Sequence, residues 1–218
     1  MKNYFTALFC FASMLLFAQK TYHFDYYVSY NSETLQKDKT LKSECHNLLN
    51  SKNQDISAKI IKRKRVKTEL VILDYPNEIL HYFKLKKENF PFKNEDFVYV
   101  KSEKLTSVKK QFDEEFKNRA IKVVSSENHE NVYEYEIEEN NETKTRKYQS
   151  KAHISFKKYK DNLAFNGLEK LFDFYGAGKK ITLPENMIFM SGTIEYDDTK
   201  SFLELKEVEP LEITLHVK

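Results

Sequence analysis

The sequence predicts a mainly β protein: one large antiparallel sheet, curled into a half-barrel or open barrel, with one or two short helices. Several segments alternate apolar and polar residues, which is typical of half-buried strands because successive side chains leave opposite faces of a sheet. Turn-forming Asn, Asp, Ser and Pro residues separate many of these segments. No regular succession of strand and helix is present, so a parallel α/β fold is not expected.

The N-terminal residues 1–18 have the pattern of a secretory signal peptide. Lys2 is the only charge before an apolar run over Tyr4–Phe17, and Ala18 is a small residue at the exit of that run. The alternative is a membrane anchor, but the run is shorter than the ~20 residues that span a bilayer. We therefore predict cleavage after Ala18 and a single β-rich domain over residues 19–218.

The first strand of the mature chain is marked by aromatic residues on one parity. This parity holds Tyr22, Phe24, Tyr26, Val28 and Tyr30. Aromatic residues favour strands, so we expect these side chains to face the core, with an aromatic ligand platform as the alternative. The same alternation predicts strands at Tyr133–Glu138, Lys147–Phe156 and Leu211–Lys218. Less regular apolar runs predict strands at Cys45–Asn50, Asp55–Ile61, Val66–Asp74, Glu78–Lys86, Phe97–Lys101, Ala120–Ser125, Met187–Tyr196 and Phe202–Glu207.

Four segments carry turn chemistry and connect these strands. Two of them, Tyr75–Asn77 and Asp197–Lys200, break apolar runs into hairpins, and two others, Asn50–Asn53 and Ser125–Asn128, are rich in Asn and Ser. Together they predict roughly ten to twelve strands, often joined by short turns.

One amphipathic helix stands out after these strands. Its apolar residues recur at three- and four-residue spacing: Phe165, Leu168, Leu171, Phe172 and Tyr175. Asp161 or Asn162 could cap its start, and Gly176 and Gly178 would end it. We expect it to pack on the apolar side of the sheet, where a lid or plug role makes Phe165, Leu168, Phe172 and Tyr175 the candidate ligand-binding residues. A second, weaker helical pattern covers Lys109–Lys117, with a polar loop over Lys101–Asn118 as the alternative.

A basic run is the sharpest charge feature of the chain. Its centre is Lys62, Arg63, Lys64 and Arg65, and a dense basic run can bind the phosphates of lipid headgroups or another anionic partner. The alternative is a solvated hairpin tip, or an edge strand protected by lysines. The whole chain carries a formal net charge of only +3, which does not favour a nucleic-acid-binding protein.

Motifs for chemistry are lacking in the sequence. The six histidines show no metal-ligand spacing, so no metal site is predicted, and no phosphate-binding glycine loop or other cofactor motif occurs. Glu44 and His46 would share one face of a strand, but two ligands do not make a metal site. Cys45 would be the only cysteine of the mature chain, and we interpret it as a small buried strand residue, with a reactive thiol as the alternative.

Two resemblances accompany these patterns. The leader ending in Phe17-Ala18-Gln19, the aromatic strand Phe24–Tyr30 and the stretch Leu48–Gln54 resemble uncharacterised exported β-rich proteins of Bacteroidota-type Gram-negative bacteria. The size, the strand number and the helix at Phe165–Tyr175 are similar to the periplasmic lipoprotein-carrier half-barrels, although that family usually opens with a helix. The first resemblance implies no activity, because that group has none assigned. The second implies antiparallel strands that curl around an apolar groove closed by helices.

The function that these patterns favour is that of a non-enzymatic, exported binding or cell-envelope protein, periplasmic or secreted. Its concave sheet would hold an apolar ligand or a lipid chain, so lipid or envelope components are the candidate partners. The alternative is a structural or interaction module with a filled core and no small ligand. An enzyme is the least favoured class because no catalytic motif supports it, and the mature chain has no second apolar run of membrane-spanning length.

Overall fold

The computed structural model describes residues 20–37, 39–63, 66–105, 119–129, 131–142, 147–172, 181–183, 185–196 and 198–217. The predicted leader, the helical pattern at Lys109–Lys117 and Tyr175 lie outside the described residues. Among the described residues, no helix is long and apolar enough to cross a membrane.

The chain forms one 11-stranded, antiparallel, open sheet with a single helix of more than one turn in its described part. The strands are β1 (Lys20–Gln36), β2 (Lys39–Leu49), β3 (Ile56–Arg63), β4 (Val66–Asp74), β5 (Ile79–Leu85), β6 (Phe97–Lys104), β7 (Arg119–His129), β8 (Val132–Glu142), β9 (Lys147–Lys158), β10 (Met187–Tyr196) and β11 (Thr199–Val217). Helix α1 spans Ala164–Phe172, and a short 3-10 turn covers Asn94–Asp96. The strand order is β6-β5-β4-β3-β2-β1-β11-β10-β9-β8-β7. The predicted fold class is confirmed.

Two local predictions differ from the structure. The turn predicted at Ser125–Asn128 lies inside β7, because those residues pair one by one with β8, and the connection comes later, at Asn131 with φ 74°. The strands predicted at Phe202–Glu207 and Leu211–Lys218 are halves of one 19-residue strand, β11. Continuous pairing with β1 keeps β11 extended through Pro210, where the register shifts.

The central strands serve two separate cores. In β1, Tyr26 belongs to one core and its neighbour Tyr27 to the other; in β2 the same holds for Leu49 and Leu48. Because successive strand residues point to opposite faces, the two cores lie on opposite faces of the sheet where they meet. The predicted core parity of β1 is buried throughout, but Tyr22 and Phe24 join one core while Tyr26, Val28 and Tyr30 join the other. The register shift between Phe24 and Tyr26 lies at this change.

The helix-side core is built from β8 to β11, from residues of β1 and β2, and from α1, which packs on the apolar side of the sheet as predicted. The helix presents Gly167, Leu168, Leu171 and Phe172 to the core, and all four are buried. A Cβ atom at Gly167 would overlap the Phe189 ring, so the absence of a side chain there allows the helix to approach β10 closely. This core is therefore filled by interlocking side chains.

The loop-side core is built from β2 to β6 and from the ends of β1 and β11. The segment between β5 and β6 covers it, with Phe90 stacked on Tyr27 at a centroid distance of 4.6 Å and Phe92 edge-on to the same ring. The side chain of Asn94 accepts a hydrogen bond from the backbone N–H of Thr214 (2.9 Å), which ties this covering segment to β11. This core is closed by a loop and not by a helix.

Candidate functional site

A polar strip crosses the sheet on the face opposite α1, which we call the far face. Because Tyr135, Ile154 and Leu203 point into the helix-side core, their strand neighbours point to the far face. The strand pairing aligns these neighbours in two rows. The first row is Glu127, Glu134, Ser155, Ser191, Glu204, Asn31 and Glu44; the second is Ser125, Glu136, His153, Thr193, Phe202, Glu33 and Lys42. We call these two rows the far-face trough.

Two open cavities occupy the trough and meet at two residues. One has a volume of about 530 Å³ and lies over β7 to β11, and the other has a volume of about 800 Å³ and lies over β11, β1 and β2. Phe202 and Glu204 line both cavities. Volumes of this size are usual for ligand sites, so the trough is the leading candidate site of the described chain.

The trough carries an excess of negative charge that its neighbouring row lacks. The row beyond it alternates Lys122, Glu138, Lys151, Glu195 and Lys200 across five strands, and Lys200 lies 2.5 Å from Glu195. In the trough, by contrast, Glu127 stands directly opposite Glu134, a like-charge pair that costs stability in a sheet. Glu134 and Glu204 make no ion pair with any described Lys or Arg.

The β2 end of the trough leads into a partly buried Tyr–His–Glu cluster. The Tyr27 hydroxyl lies 2.8 Å from His46 Nδ1, and His46 Nε2 lies 3.6 Å from Glu44. Lys206 donates to the other oxygen of Glu44 (2.8 Å). Burial lowers the pKa of His46, and the nearby ammonium of Lys62 lowers it further. The predicted convergence of Glu44 and His46 on one face is confirmed.

The residues predicted to bind a ligand lie on the opposite face of the sheet. Leu168 and Phe172 are buried in the helix-side core, and Phe165 packs against that core while lining a cavity of about 30 Å³. Their side chains are therefore packed against protein in this structure, and their role in ligand binding stays a prediction. Tyr175 lies outside the described residues.

The described part of the predicted basic patch, Lys62 and Arg63, lies at the end of β3, where β3 pairs with β4. Lys62 is exposed, and its ammonium donates to Asn89 Oδ1 (3.0 Å) of the segment that covers the loop-side core. The backbone of Arg63 pairs with Val66, while Lys64 and Arg65 lie outside the described residues. Both β3 and β4 are interior strands, so of the two alternatives the hairpin tip fits and the edge strand does not. Binding of an anionic partner stays a prediction.

A second cluster, which sequence reasoning missed, is a chain of hydrogen bonds in the loop-side half that is buried at Tyr22, Asp74 and His81 and exposed at its Ser102 end. The Tyr22 hydroxyl donates to Asp74 Oδ2 (2.5 Å) and lies 2.6 Å from His81 Nε2. On the other side of the imidazole ring, His81 Nδ1 lies 2.7 Å from the Ser102 hydroxyl. Lys20 forms an ion pair with Asp74. We call these five residues the buried polar chain.

The buried polar chain has a consistent direction of hydrogen bonding. The Tyr22 hydroxyl uses its one hydrogen in the bond to Asp74, so its oxygen accepts the hydrogen bond from His81 Nε2–H. In the neutral imidazole Nδ1 carries no hydrogen, so it accepts a hydrogen bond from the Ser102 hydroxyl. Burial lowers the pKa of His81, which favours this neutral form. Burial alone would raise the pKa of Asp74, but hydrogen bonds from Lys20, Tyr22 and Asn77 lower it below its usual value.

The chemistry open to the two clusters differs. The buried polar chain could polarise the Ser102 hydroxyl, but none of its members lines the two large cavities. Its sequence signal was a histidine on the apolar parity of β5, with Phe83 and Leu85. The trough offers carboxylates, hydroxyls and one aromatic ring to a ligand. No group of three or more His, Cys, Asp or Glu suited to a metal ion is found in the described part of the chain.

Comparison with known proteins gives only remote likenesses. No protein-family model matches the chain, and no curated protein matches it. Among solved structures, a DUF1329 family protein from Desulfovibrio piger is similar at 10% identity and a TM-score of 0.27, with 85% of each chain covered. LprF from Mycobacterium bovis is similar at 6% identity and a TM-score of 0.29, with 84% of this chain and 85% of that chain covered. Scores this low support no argument about function, and the likeness to exported Bacteroidota-type proteins stays a prediction.

Proposed function

We propose that the mature chain is an exported, non-enzymatic binding protein whose ligand occupies the far-face trough. The observation that carries this proposal is the pair of open cavities, about 530 and 800 Å³, that meet at Phe202 and Glu204. Export rests on the predicted leader, and the periplasm or the medium is the expected location. The absence of enzymatic activity rests on the lack of a catalytic motif in the sequence.

The ligand best suited to the trough is polar and positively charged. Glu134, Glu136 and Glu204 face the first cavity, and a bound cation would relieve the repulsion between Glu127 and Glu134. The half-buried ring of Phe202 adds a flat apolar surface that also attracts ammonium groups. The Lys200 ammonium already lies 5.3 Å from the centre of that ring, which is a cation–π distance.

A lipid chain in the concave sheet has less support from the packing. The helix-side core contains Phe189 and Leu168 at 0% exposure, and there is no room for even a Cβ atom at Gly167. A filled core on that side favours the alternative predicted from sequence, an interaction module without an apolar ligand. The binding protein proposed here combines that filled core with an open polar face.

The test is a titration of the full mature protein with three probes: tetralysine, tetraglutamate and palmitate. We expect tetralysine to bind, tetraglutamate not to bind, and the affinity for tetralysine to fall as salt rises. The double variant Glu134→Gln/Glu204→Gln should weaken tetralysine binding by about ten-fold, since two partly screened ion pairs contribute roughly 0.5 to 1 kcal/mol each.

A matched control is Glu138→Gln, which removes a carboxylate from the same strand as Glu134 but from the charge-balanced row. We expect this variant to bind tetralysine within two-fold of the unaltered protein. Equal losses of tetralysine affinity in the control and in the trough variant would contradict binding in the trough. Palmitate binding without tetralysine binding would contradict a cationic ligand and would support an apolar groove as the binding site.

A further inference from the structure

A small cavity lies where helix α1 meets the turn between β2 and β3. Its volume is about 30 Å³, and its walls include Gln54 of the turn, Ser57 of β3 and Asn166 of α1. Each of these three residues has a buried side-chain oxygen without a hydrogen-bond partner: Gln54 Oε1, Ser57 Oγ and Asn166 Oδ1. Only two further atoms of this kind occur in the described part of the chain, so the unpaired oxygens concentrate at this cavity.

The orientation of Gln54 fixes what kind of partner the cavity requires. Its Nε2 donates to the backbone carbonyl of Asn162 (3.3 Å), so Oε1 is an acceptor without a donor. Asn166 Oδ1 is likewise an acceptor, whereas the Ser57 hydroxyl can donate or accept. Ser57 is only 5% exposed, and a buried polar group left unpaired costs about 1 to 3 kcal/mol.

We propose that this cavity is a binding site for one ordered water molecule. The water donates one hydrogen bond to Gln54 Oε1 and one to Asn166 Oδ1, and it accepts a hydrogen bond from the Ser57 hydroxyl. All three unpaired groups then have a partner. A cavity needs only about 10 to 15 Å³ of accessible volume to hold a water that has two to four polar partners. Both conditions are met here.

Water suits the site better than a small cation does. The three unpaired oxygens are neutral amide and hydroxyl groups, and the one carboxylate in the wall, Glu169, already takes part in another interaction. The bound water would connect the helix to the β2–β3 hairpin. Leu49 and Leu163 of the helix-side core and Ile56, which packs on the loop-side core, line the same cavity. The site therefore couples the two cores.

The test is a double-mutant cycle with Ser57→Ala and Asn166→Ala in the mature protein. No hydrogen bond joins these two side chains directly, so a shared water is what would couple them. We expect the unfolding equilibrium constant of the double variant to depart about five-fold from the product of the single effects. The control pair Lys59→Ala and Lys170→Ala, on the same strand and helix, should be multiplicative within two-fold. A multiplicative result for the Ser57 and Asn166 pair would overturn the proposal.

Two measurements on the unaltered protein give an independent answer if a variant does not fold. A high-resolution crystal structure should show one water within about 3.2 Å of all three oxygens, and an empty cavity would overturn the proposal. Thermal unfolding should be equal in sodium chloride and choline chloride at the same ionic strength. A thermal midpoint that is higher in sodium chloride than in choline chloride would indicate a bound sodium ion instead of water, and it would also overturn the proposal.

Discussion

The two halves of the sheet follow the same alternating pattern but close their cores in different ways. The helix-side core consists of aliphatic and aromatic side chains and is closed by close packing, with Gly167 of the helix against Phe189. The loop-side half contains Asp74 and His81, exposed by 0% and 3%, and uses a chain of hydrogen bonds to join β1 to β4 and β5. The first half should therefore respond to changes of volume and the second to changes of charge.

The largest effect is expected from Phe189→Ala in the helix-side core. Phe189 is fully buried and packs on Tyr30 and Phe156, so its truncation should reduce the free energy of unfolding by about 3 to 5 kcal/mol. Urea unfolding monitored by circular dichroism measures this. A loss below 1 kcal/mol would show that close packing around Phe189 does not stabilise this core.

The next largest effect is expected from Asp74→Asn in the loop-side half. The neutral amide cannot form the ion pair with Lys20 or accept as strongly from Tyr22, so the free energy of unfolding should fall by about 2 to 3 kcal/mol. Asp198→Asn, an exposed turn residue, is the matched control and should change it by less than about 0.5 kcal/mol. Equal effects at both positions would remove the contrast between the halves.

A smaller effect is expected from Gly167→Ala. In an exposed helix this change would stabilise the protein by up to about 1 kcal/mol, but here the added methyl overlaps the Phe189 ring, so we expect a loss of about 2 kcal/mol. The loss should shrink in a Phe189→Leu background, which provides space. A gain in thermal midpoint in the unaltered background would contradict the close approach of α1 and β10.

The pH dependence of stability distinguishes the two halves of the sheet. The pKa of His81 lies below its usual value of 6.5 because the ring is buried, so the folded state binds this proton less readily than the unfolded state does. The resulting stability is fully present above pH 6.5 and is lost as the pH falls through the lowered pKa. His46 contributes with the same sign.

Hydrogen exchange measures where this acid sensitivity lies. Amides of β4 and β5 should lose protection between pH 7 and pH 5 before those of β9 and β10. The His81→Gln variant should flatten the dependence in the loop-side half. Asp74 does not contribute in this range, because its lowered pKa places its loss of stability below pH 4. Equal loss of protection in both halves would contradict the assignment.

The smallest effect has the opposite sign. Glu134→Gln removes the like-charge pair with Glu127, so it should raise the free energy of unfolding by about 0.2 to 1 kcal/mol at low salt. The gain should vanish at high salt, where the repulsion is screened. Thermal unfolding at two salt concentrations measures it, with Glu138→Gln, which loses the Lys151 partner, as a control of opposite sign. A lower free energy of unfolding in the Glu134→Gln variant would argue against net repulsion between the carboxylates of the trough.

Local patterns in the sequence were sufficient for the strands and for most turns. The alternation at Tyr133–Glu138 predicts Tyr135 and Ile137 in a core and Glu134 and Glu136 on the opposite, more polar face, and all four lie on the predicted faces. The same alternation did not identify the trough, because a row of seven side chains forms only when seven strands are in register. A glutamate on a wet face has the same local pattern whether or not it lines a cavity.

The sequence by itself determined which residues of each strand share a face, because that alternation follows from covalent geometry within a few residues. Only the tertiary structure decided which core each face meets, since the curl of an 11-stranded sheet depends on contacts between distant segments. Tyr22 and Asp74 are 52 positions apart, and nothing local to either residue specifies the hydrogen bond between them. One half of the sheet is therefore stabilised by close packing and the other by buried hydrogen bonds and an ion pair, and this division is a property of the folded chain.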